Sequence, residues 1–190
     1  MDNKIAKFSL AFAIAAAVMG LLVWILVGGG SKKYDKGSYG GNTLYTNTWA
    51  GVQVRIPSDY QLKKSDSYDT AKETYKAFVK GANTTSLSYF AIYTRNENMS
   101  VDDCLKEGEQ YLTGGYFGVS GLSIVAKEKT TRKIAGKTYK VLPIEITYGT
   151  FKLYYNVYAR KVNRNGMIMF LVGETSQEGI DKVLGFISKK

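Results

Sequence analysis

From Phe8 to Val27 the chain carries no charge, and Ser9 is the only polar side chain in the run. At 1.5 Å per residue, a helix of about 20 residues is about 30 Å long, the thickness of a bilayer's hydrocarbon core. No other feature restricts the chain as much, because so apolar a segment has to lie in lipid, sit in a protein core or be removed. A secretory signal has a shorter apolar stretch, roughly 7–15 residues, ending at a small-x-small cleavage site. Here Ala13-x-Ala15 and Ala15-x-Ala17 fall in the middle of the run, and Gly28 to Gly30 offer only a poor site. Cys104 is the sole cysteine, far downstream, so no lipobox is available. The reading is a membrane anchor over 8–27, behind a short tail at 1–7, in preference to a cleaved signal or a buried soluble helix. Trp24 fits an interfacial aromatic near the end of the span.

Lys4 and Lys7 flank one end of the run, and Lys32, Lys33 and Lys36 flank the other. The positive-inside rule therefore does not choose between topologies and slightly favours a cytoplasmic domain. Against that, a short tail before a long apolar run has the layout of a signal-anchor. Basic residues in a long C-terminal domain do not strongly oppose translocation. The expected chain is single-pass, with its C-terminal domain on the extracytoplasmic side of the cell membrane. The alternative is a cytoplasm-facing basic domain that meets nucleic acid or the inner leaflet; nucleic acid has no place in the preferred reading.

"GGGSKKYDKGSYGGNT" (28–43) has no apolar periodicity and reads as a flexible linker. Residues 44–190 are long enough for one domain with a sizeable core. One cysteine leaves no intramolecular disulfide. Two glycosylation sequons, at Asn83 and Asn98, matter only in a host that glycosylates this compartment.

Several catalytic classes are excluded by composition. The chain has no histidine, which removes the commonest general base and any Cys/His or Ser/His nucleophile system. Cys104 falls on the apolar face of an expected helix and reads as a buried structural thiol. Asp102 and Asp103 are neighbours on that helix, so they do not face each other as an acid/base pair and instead complement the helix N-terminus. "GGYFGVSG" resembles a phosphate loop in composition, but it follows a helix and precedes a strand, the reverse of such loops. An enzyme built from carboxylates and tyrosines alone remains the least favoured reading, since no convergent set is visible. No catalytic residue, metal or cofactor is expected.

The domain reads as strands and two helices. "NTWAGVQVRIP" is a hairpin turning at Ala50-Gly51, with Val52, Val54 and Ile56 on one face. "ETYKAFVKG" and "LSYFAIYTR" are strands joined by "ANTTS". "SVDDCLKEGEQYLTGG" is a helix capped by Ser100 and Asp103, with Val101, Cys104, Leu105, Gly108, Tyr111 and Leu112 on its apolar face. "LSIVAKEKTTRKIAG", "KTYKVLPIEITYG", "FKLYYNVYARKV" and "GMIMFLVGE" are further strands. The last is apolar on both faces and should be central. "TSQEGIDKVLGFISKK" closes the chain as a helix, with Thr175 and Glu178 as a capping box and Ile180, Val183, Leu184 and Ile187 as its buried stripe. The expected class is α+β: β-β-β-β-α-β-β-β-β-α, a mainly antiparallel sheet with helices packed on it.

This order resembles the PsbP-like family. The resemblance rests on "TNTWAGVQVRIPSDYQL", "MSVDDCLKEGEQYL" and "TRKIAGKTYKVLPIEI" followed by two strands and a helix, over roughly residues 45 to 188. It implies a non-catalytic binding or accessory role, without naming a ligand, and carries over no functional residue.

The formal net charge is +10. Most of the excess falls between Lys127 and Arg164, where Lys127, Lys129, Arg132, Lys133, Lys137, Lys140, Lys152, Arg160, Lys161 and Arg164 are opposed only by Glu128 and Glu145. A solvated sheet face would account for this; so would a contact surface for an anionic polymer or lipid headgroup. On "FKLYYNVYARKV", Lys152, Tyr154, Asn156, Tyr158 and Arg160 share one face, a pattern that suits stacking and anion pairing unless the face is covered by a helix. The candidate anionic-ligand contacts are Lys152, Tyr154, Tyr158, Arg160, Lys161 and Arg164. Tyr116 and Phe117 are a second candidate, as a loop contact. The expected partners are the membrane and an unknown protein or anionic polymer.

Overall fold

The computed structural model describes residues 33–35, 37–41, 43–57, 60–69, 74–81, 89–114 and 120–190, with 60–81 as backbone only. The tail 1–7, the apolar run 8–27, the "ANTTS" connection, and Tyr116 with Phe117 lie outside the described residues. Among the described residues no helix is long and apolar enough to cross a membrane.

Tyr34–Lys190 is one compact unit. Its strands are β1 (Ser38–Gly40), β2 (Leu44–Asn47), β3 (Val52–Arg55), β4 (Tyr60–Asp69), β5 (Thr74–Gly81) and β6 (Tyr89–Arg95), then, after helix α1 (Val101–Thr113), β7 (Leu122–Ala126), β8 (Thr130–Ile134), β9 (Lys137–Tyr148), β10 (Phe151–Asn163) and β11 (Gly166–Glu174). Helix α2 (Gln177–Leu184) and β12 (Ile187–Lys189) complete it. One sheet has the order β1-β2-β3-β12; the other has β4-β5-β6-β11-β10-β9-β7, with β8 also on β9. All recorded pairings are antiparallel. The α+β class with a mainly antiparallel sheet and two helices is therefore as expected.

The apolar run "MIMFLV" does become the central strand, paired with β6 on one side and β10 on the other. Its alternate residues feed two cores. Ile168, Phe170 and Val172 join the core that holds Val52, Val54, Ile180 and Val183. Met167, Met169 and Leu171 join the core under α1, with Cys104 and Leu105. Ser100 caps α1 as its spacing predicts: its hydroxyl accepts from Asp103 N at 3.0 Å and donates to Asp103 Oδ2 at 2.6 Å. Gly108 lets the helix approach the sheet, because a Cβ there would lie 2.5 Å from Val157 Cγ1. Tyr111, expected on the buried stripe, is 47% exposed, its ring edge-on to Tyr93 at 5.6 Å.

The element order differs from the expected one in four places. First, β1 and β4 add strands where none was read. Second, "LSIVAKEKTTRKIAG" is two strands, β7 and β8, on successive halves of the same edge of β9. The break falls beside Pro143, which has no N–H to continue the ladder; Lys127 N donates to its carbonyl at 2.8 Å. Third, the last helix stops at Gly185. Ile187 is on β12 opposite Val54, so its burial comes from the small sheet and not from a helical stripe. Fourth, the cap of that helix is Ser176, whose hydroxyl accepts from Gly179 N, one residue later than the Thr175/Glu178 box.

Of the stretch expected as a linker over 28–43, residues 28–32 lie outside the described residues, and Tyr34 onward belongs to the compact unit. The Tyr34 ring meets Trp49 edge-on at 5.1 Å, and its hydroxyl lies 3.1 Å from Thr94 Oγ1. Asn47 Nδ2 donates to the Asp35 carbonyl at 3.0 Å.

Candidate functional site

The candidate anionic-ligand residues of β10 do not form one surface. Tyr158 is 1% exposed and packs in the core that includes Ile180, Val183 and Leu184 of α2. Its hydroxyl accepts from Asn156 Nδ2 at 2.8 Å, and burial raises the phenol's pKa. Aromatic side chains on a strand face are sequestered when a helix covers that face, and here α2 does so. This corrects Tyr158 as a contact residue. Tyr154 is half-buried against the same core.

Arg160 is also committed. Its guanidinium carbon sits 5.2 Å from the centre of the Tyr139 ring, Nη2 donates to the Ala50 carbonyl, and Nη1 donates to the Lys161 carbonyl at 3.1 Å. Lys152 stays exposed but lies near the β9–β10 turn, 3.3 Å from Glu145.

The basic stretch divides by ion pairing. Glu145 is shared by Lys152 and Lys127, which lower its carboxyl pKa. Arg132 pairs with Asp181 at 2.7 Å. Asp102 at the start of α1 is held by Lys129 at 2.7 Å and Lys140 at 2.8 Å. Those two hydrogen bonds take its carboxyl from an ordinary 3.8 to about 2. The folded pKa lies below the unfolded one, so this contribution is present above about pH 4 and is lost as pH falls toward 2. The side chain is half exposed and screened by solvent, so the gain is small. Asp102→Asn is expected to lower stability slightly at pH 7 and leave it unchanged near pH 2, so that the acid limb of a pH–stability titration between pH 4 and 2 flattens; an unchanged limb would mean that the triad does not form in solution.

Four cations remain without such a partner: Lys133, Lys137, Lys161 and Arg164. All four are exposed, and none forms an ion pair among the described residues. Topology brings them to one end of the large sheet. Thr131 and Ala159 both pair with Lys140, on either side of β9. Lys133 and Lys161 are each two residues further toward the same end, on the same face. Two turns close that end. In one, Ala135 (φ 50°) and Gly136 (φ 76°) take left-handed conformations and make the tight β8–β9 hairpin. In the other, Asn163 Oδ1 accepts from Asn165 N at 3.1 Å, between Lys161 and Gly166. Neighbouring strands are about 4.8 Å apart, so cations on β8, β9 and β10 fall within roughly 15 Å of one another. Their fields overlap at physiological ionic strength, where the Debye length is about 8 Å. The nearby carboxylates of Asp102, Glu97 and Glu107 are engaged by Lys129, Lys140 and Arg95.

Of the sequence candidates, Lys161 and Arg164 belong to this cluster; Lys152, Tyr154, Tyr158 and Arg160 do not. Lys133 and Lys137 were part of the basic stretch without being singled out. The signal that finds them is the Ala135-Gly136 turn, which sets the lysines before and after it at the same end of the sheet, on successive rungs and opposite faces. Cys104 is 1% exposed, its thiol pushed up to about 12 by burial, as suits a structural residue. Among the described residues no group of acidic, cysteine or histidine side chains could hold a metal ion.

The chain shares its fold with a solved structure of cyanobacterial PsbP (CyanoP) from Synechocystis sp. PCC 6803, at a TM-score of 0.51 and 13% identity, over 82% of this chain and 99% of that one. The likeness bears out the PsbP-like domain expected from the sequence motifs, as a fold. No protein-family model and no curated protein matches the sequence.

Proposed function

We propose that this protein is a single-pass membrane protein that displays a non-catalytic, PsbP-like accessory domain on the extracytoplasmic side, and that the domain contacts an anionic envelope component through its basic sheet end. The observation that carries the reading is the cluster of Lys133, Lys137, Lys161 and Arg164, exposed and, among the described residues, without acidic partners. Lys127, Lys129, Lys140 and Lys152, by contrast, are tied to carboxylates. Four gathered without one produce a local field that an anionic polymer or surface can satisfy while releasing counterions. The absence of histidine and the burial of Cys104 agree with a binding role.

Residues 31–190 are expected to bind an acidic polymer or acidic-lipid vesicles weakly. Binding should fall steeply as salt rises from about 0.1 M to about 1 M, where the Debye length shrinks from about 10 Å to about 3 Å. Reversing Lys133, Lys137, Lys161 and Arg164 to Glu should abolish it and leave the melting curve nearly unchanged, whereas Lys152→Glu should change little. Binding that survives both high salt and the reversal would assign recognition elsewhere, with Tyr116 and Phe117 the next candidates. The anchor is tested separately: the full chain should resist carbonate extraction and keep an N-terminus near Met1. A mature N-terminus near Gly28 to Ser31 would sink the anchor. A topology reporter after Lys190 that is active only in the cytoplasm would turn the domain to face the inner leaflet.

A further inference from the structure

We propose that the β7 edge of the large sheet is a contact between two copies of this chain, in which β7 pairs antiparallel with β7 of the second copy about a two-fold axis at Ile124. The contact is independent of the basic cluster. β7 lies on the half of β9 nearest the β9–β10 turn, from Leu122 opposite Tyr148 to Ala126 opposite Ile144, while the cluster is at the other end. On its outer side β7 has no neighbouring strand among the described residues. An open edge presents unpaired N–H and C=O groups to any strand that can lie against it, and proteins blunt such edges with lysine, proline or a bulge. The two halves of this edge differ in that respect. β8 carries the exposed Arg132 and Lys133. β7, "LSIVA", carries no charge and no proline, and its Ile124 and Val125 are 37% and 45% exposed. Tyr148, opposite Leu122, is exposed as well and extends the apolar strip.

The residues along β7 make it a match for itself. In an antiparallel pair centred on Ile124, Ile124 meets its own counterpart, Leu122 meets Ala126 and Ser123 meets Val125. Just beyond, Lys127 meets Gly121 and Glu128 meets Ser120, so no charge lies opposite a like charge. The same operation on β8 would set Arg132 against Arg132. A two-fold axis normal to the sheet keeps the same face up in both copies, so the two Ile124 side chains stand side by side, with Cβ atoms about 5 Å apart. A different protein would need both a free edge and a matching apolar strand; the second copy supplies both. A ladder of so few residues falls short of the roughly 1,200 Å² that stable interfaces bury, so the dimer is weak and depends on concentration.

The test is cysteine cross-linking of the full chain in detergent, with Cys104 left in place because it is buried. Under copper-phenanthroline oxidation, Ile124→Cys should form a disulfide-linked dimer at least about tenfold faster than Leu122→Cys or Ala126→Cys, whose counterparts in this register lie four residues out of line, about 14 Å away. Mixed together, Leu122→Cys and Ala126→Cys should link to each other. Adding Ser123→Lys and Val125→Lys, which sets lysine against lysine, should abolish the Ile124→Cys product; both side chains are exposed, so the melting curve should stay unchanged. Equal rates at the three positions, a maximum elsewhere on β7, or a dimer that survives the paired lysines would overturn the proposal. So would the absence of any Ile124→Cys dimer across a concentration series. Linkage of Ile124→Cys to a different polypeptide in native membranes, and not to itself, would also overturn it and make this edge a docking strand for another protein.

Discussion

Leu171→Ala is expected to destabilise the domain by roughly 2–5 kcal/mol, the range for emptying a filled core position. Leu171 is fully buried on β11, between β6 and β10. It packs where α1 comes closest: a Cβ on Gly108 would lie 3.1 Å from Leu171 Cδ2. The site has a strand on each side and a helix above, so little can collapse into the space left by the missing atoms. Denaturant melts of residues 31–190 provide the check, and a loss below about 1 kcal/mol would mean that the position is not packed as described.

Gly166→Ala is expected to cost about 1–3 kcal/mol by overpacking, and to disturb the seat of Tyr34 as well. The added methyl would lie 2.0 Å from Trp49 Cζ2, 2.6 Å from Cη2 and 2.8 Å from Asn163 Oδ1. Trp49 is 3% exposed and cannot swing aside without releasing Tyr34 from its ring. Trp24 and Trp49 are the two tryptophans, so in residues 31–190 fluorescence reports Trp49 alone. A shifted emission maximum should accompany the loss of stability, and Tyr34 should become more accessible. A change within about 0.5 kcal/mol, typical of a surface substitution, with unaltered fluorescence would remove the Trp49–Gly166 contact from the account.

These two positions differ in how they are read. Leu171 is legible in the sequence, because "MIMFLV" has no polar residue on either parity and only a strand covered on both faces accommodates that. Nothing around Gly166 in the sequence distinguishes it from an ordinary turn glycine; its constraint is a ring contributed from position 49. The capping of α1 was legible because Ser100 and Asp103 act within one turn of helix. The end of the last helix was not, because Ile187 satisfies the helical stripe and the strand β12 equally well, and only the presence of Val54 across the small sheet selects the strand.

The candidate site shows the same division. By itself the sequence determined that the chain is basic, that the surplus lies between Lys127 and Arg164, that histidine chemistry is unavailable, and that alternation and capping build an antiparallel sheet with two helices. These properties follow from composition and from interactions over a few residues. Tertiary structure decided which cations stay free. Glu145, Asp102 and Asp181 neutralise lysines and an arginine brought to them by strand pairing and helix packing. Helix α2 buries Tyr158, whose face alternation alone left either open or covered by a helix. The Ala135-Gly136 and Asn163–Gly166 turns gather at one end the four charges that are unpaired among the described residues, because antiparallel register brings together residues some thirty positions apart. Charge is a property of a residue, but its availability depends on which groups the fold sets beside it.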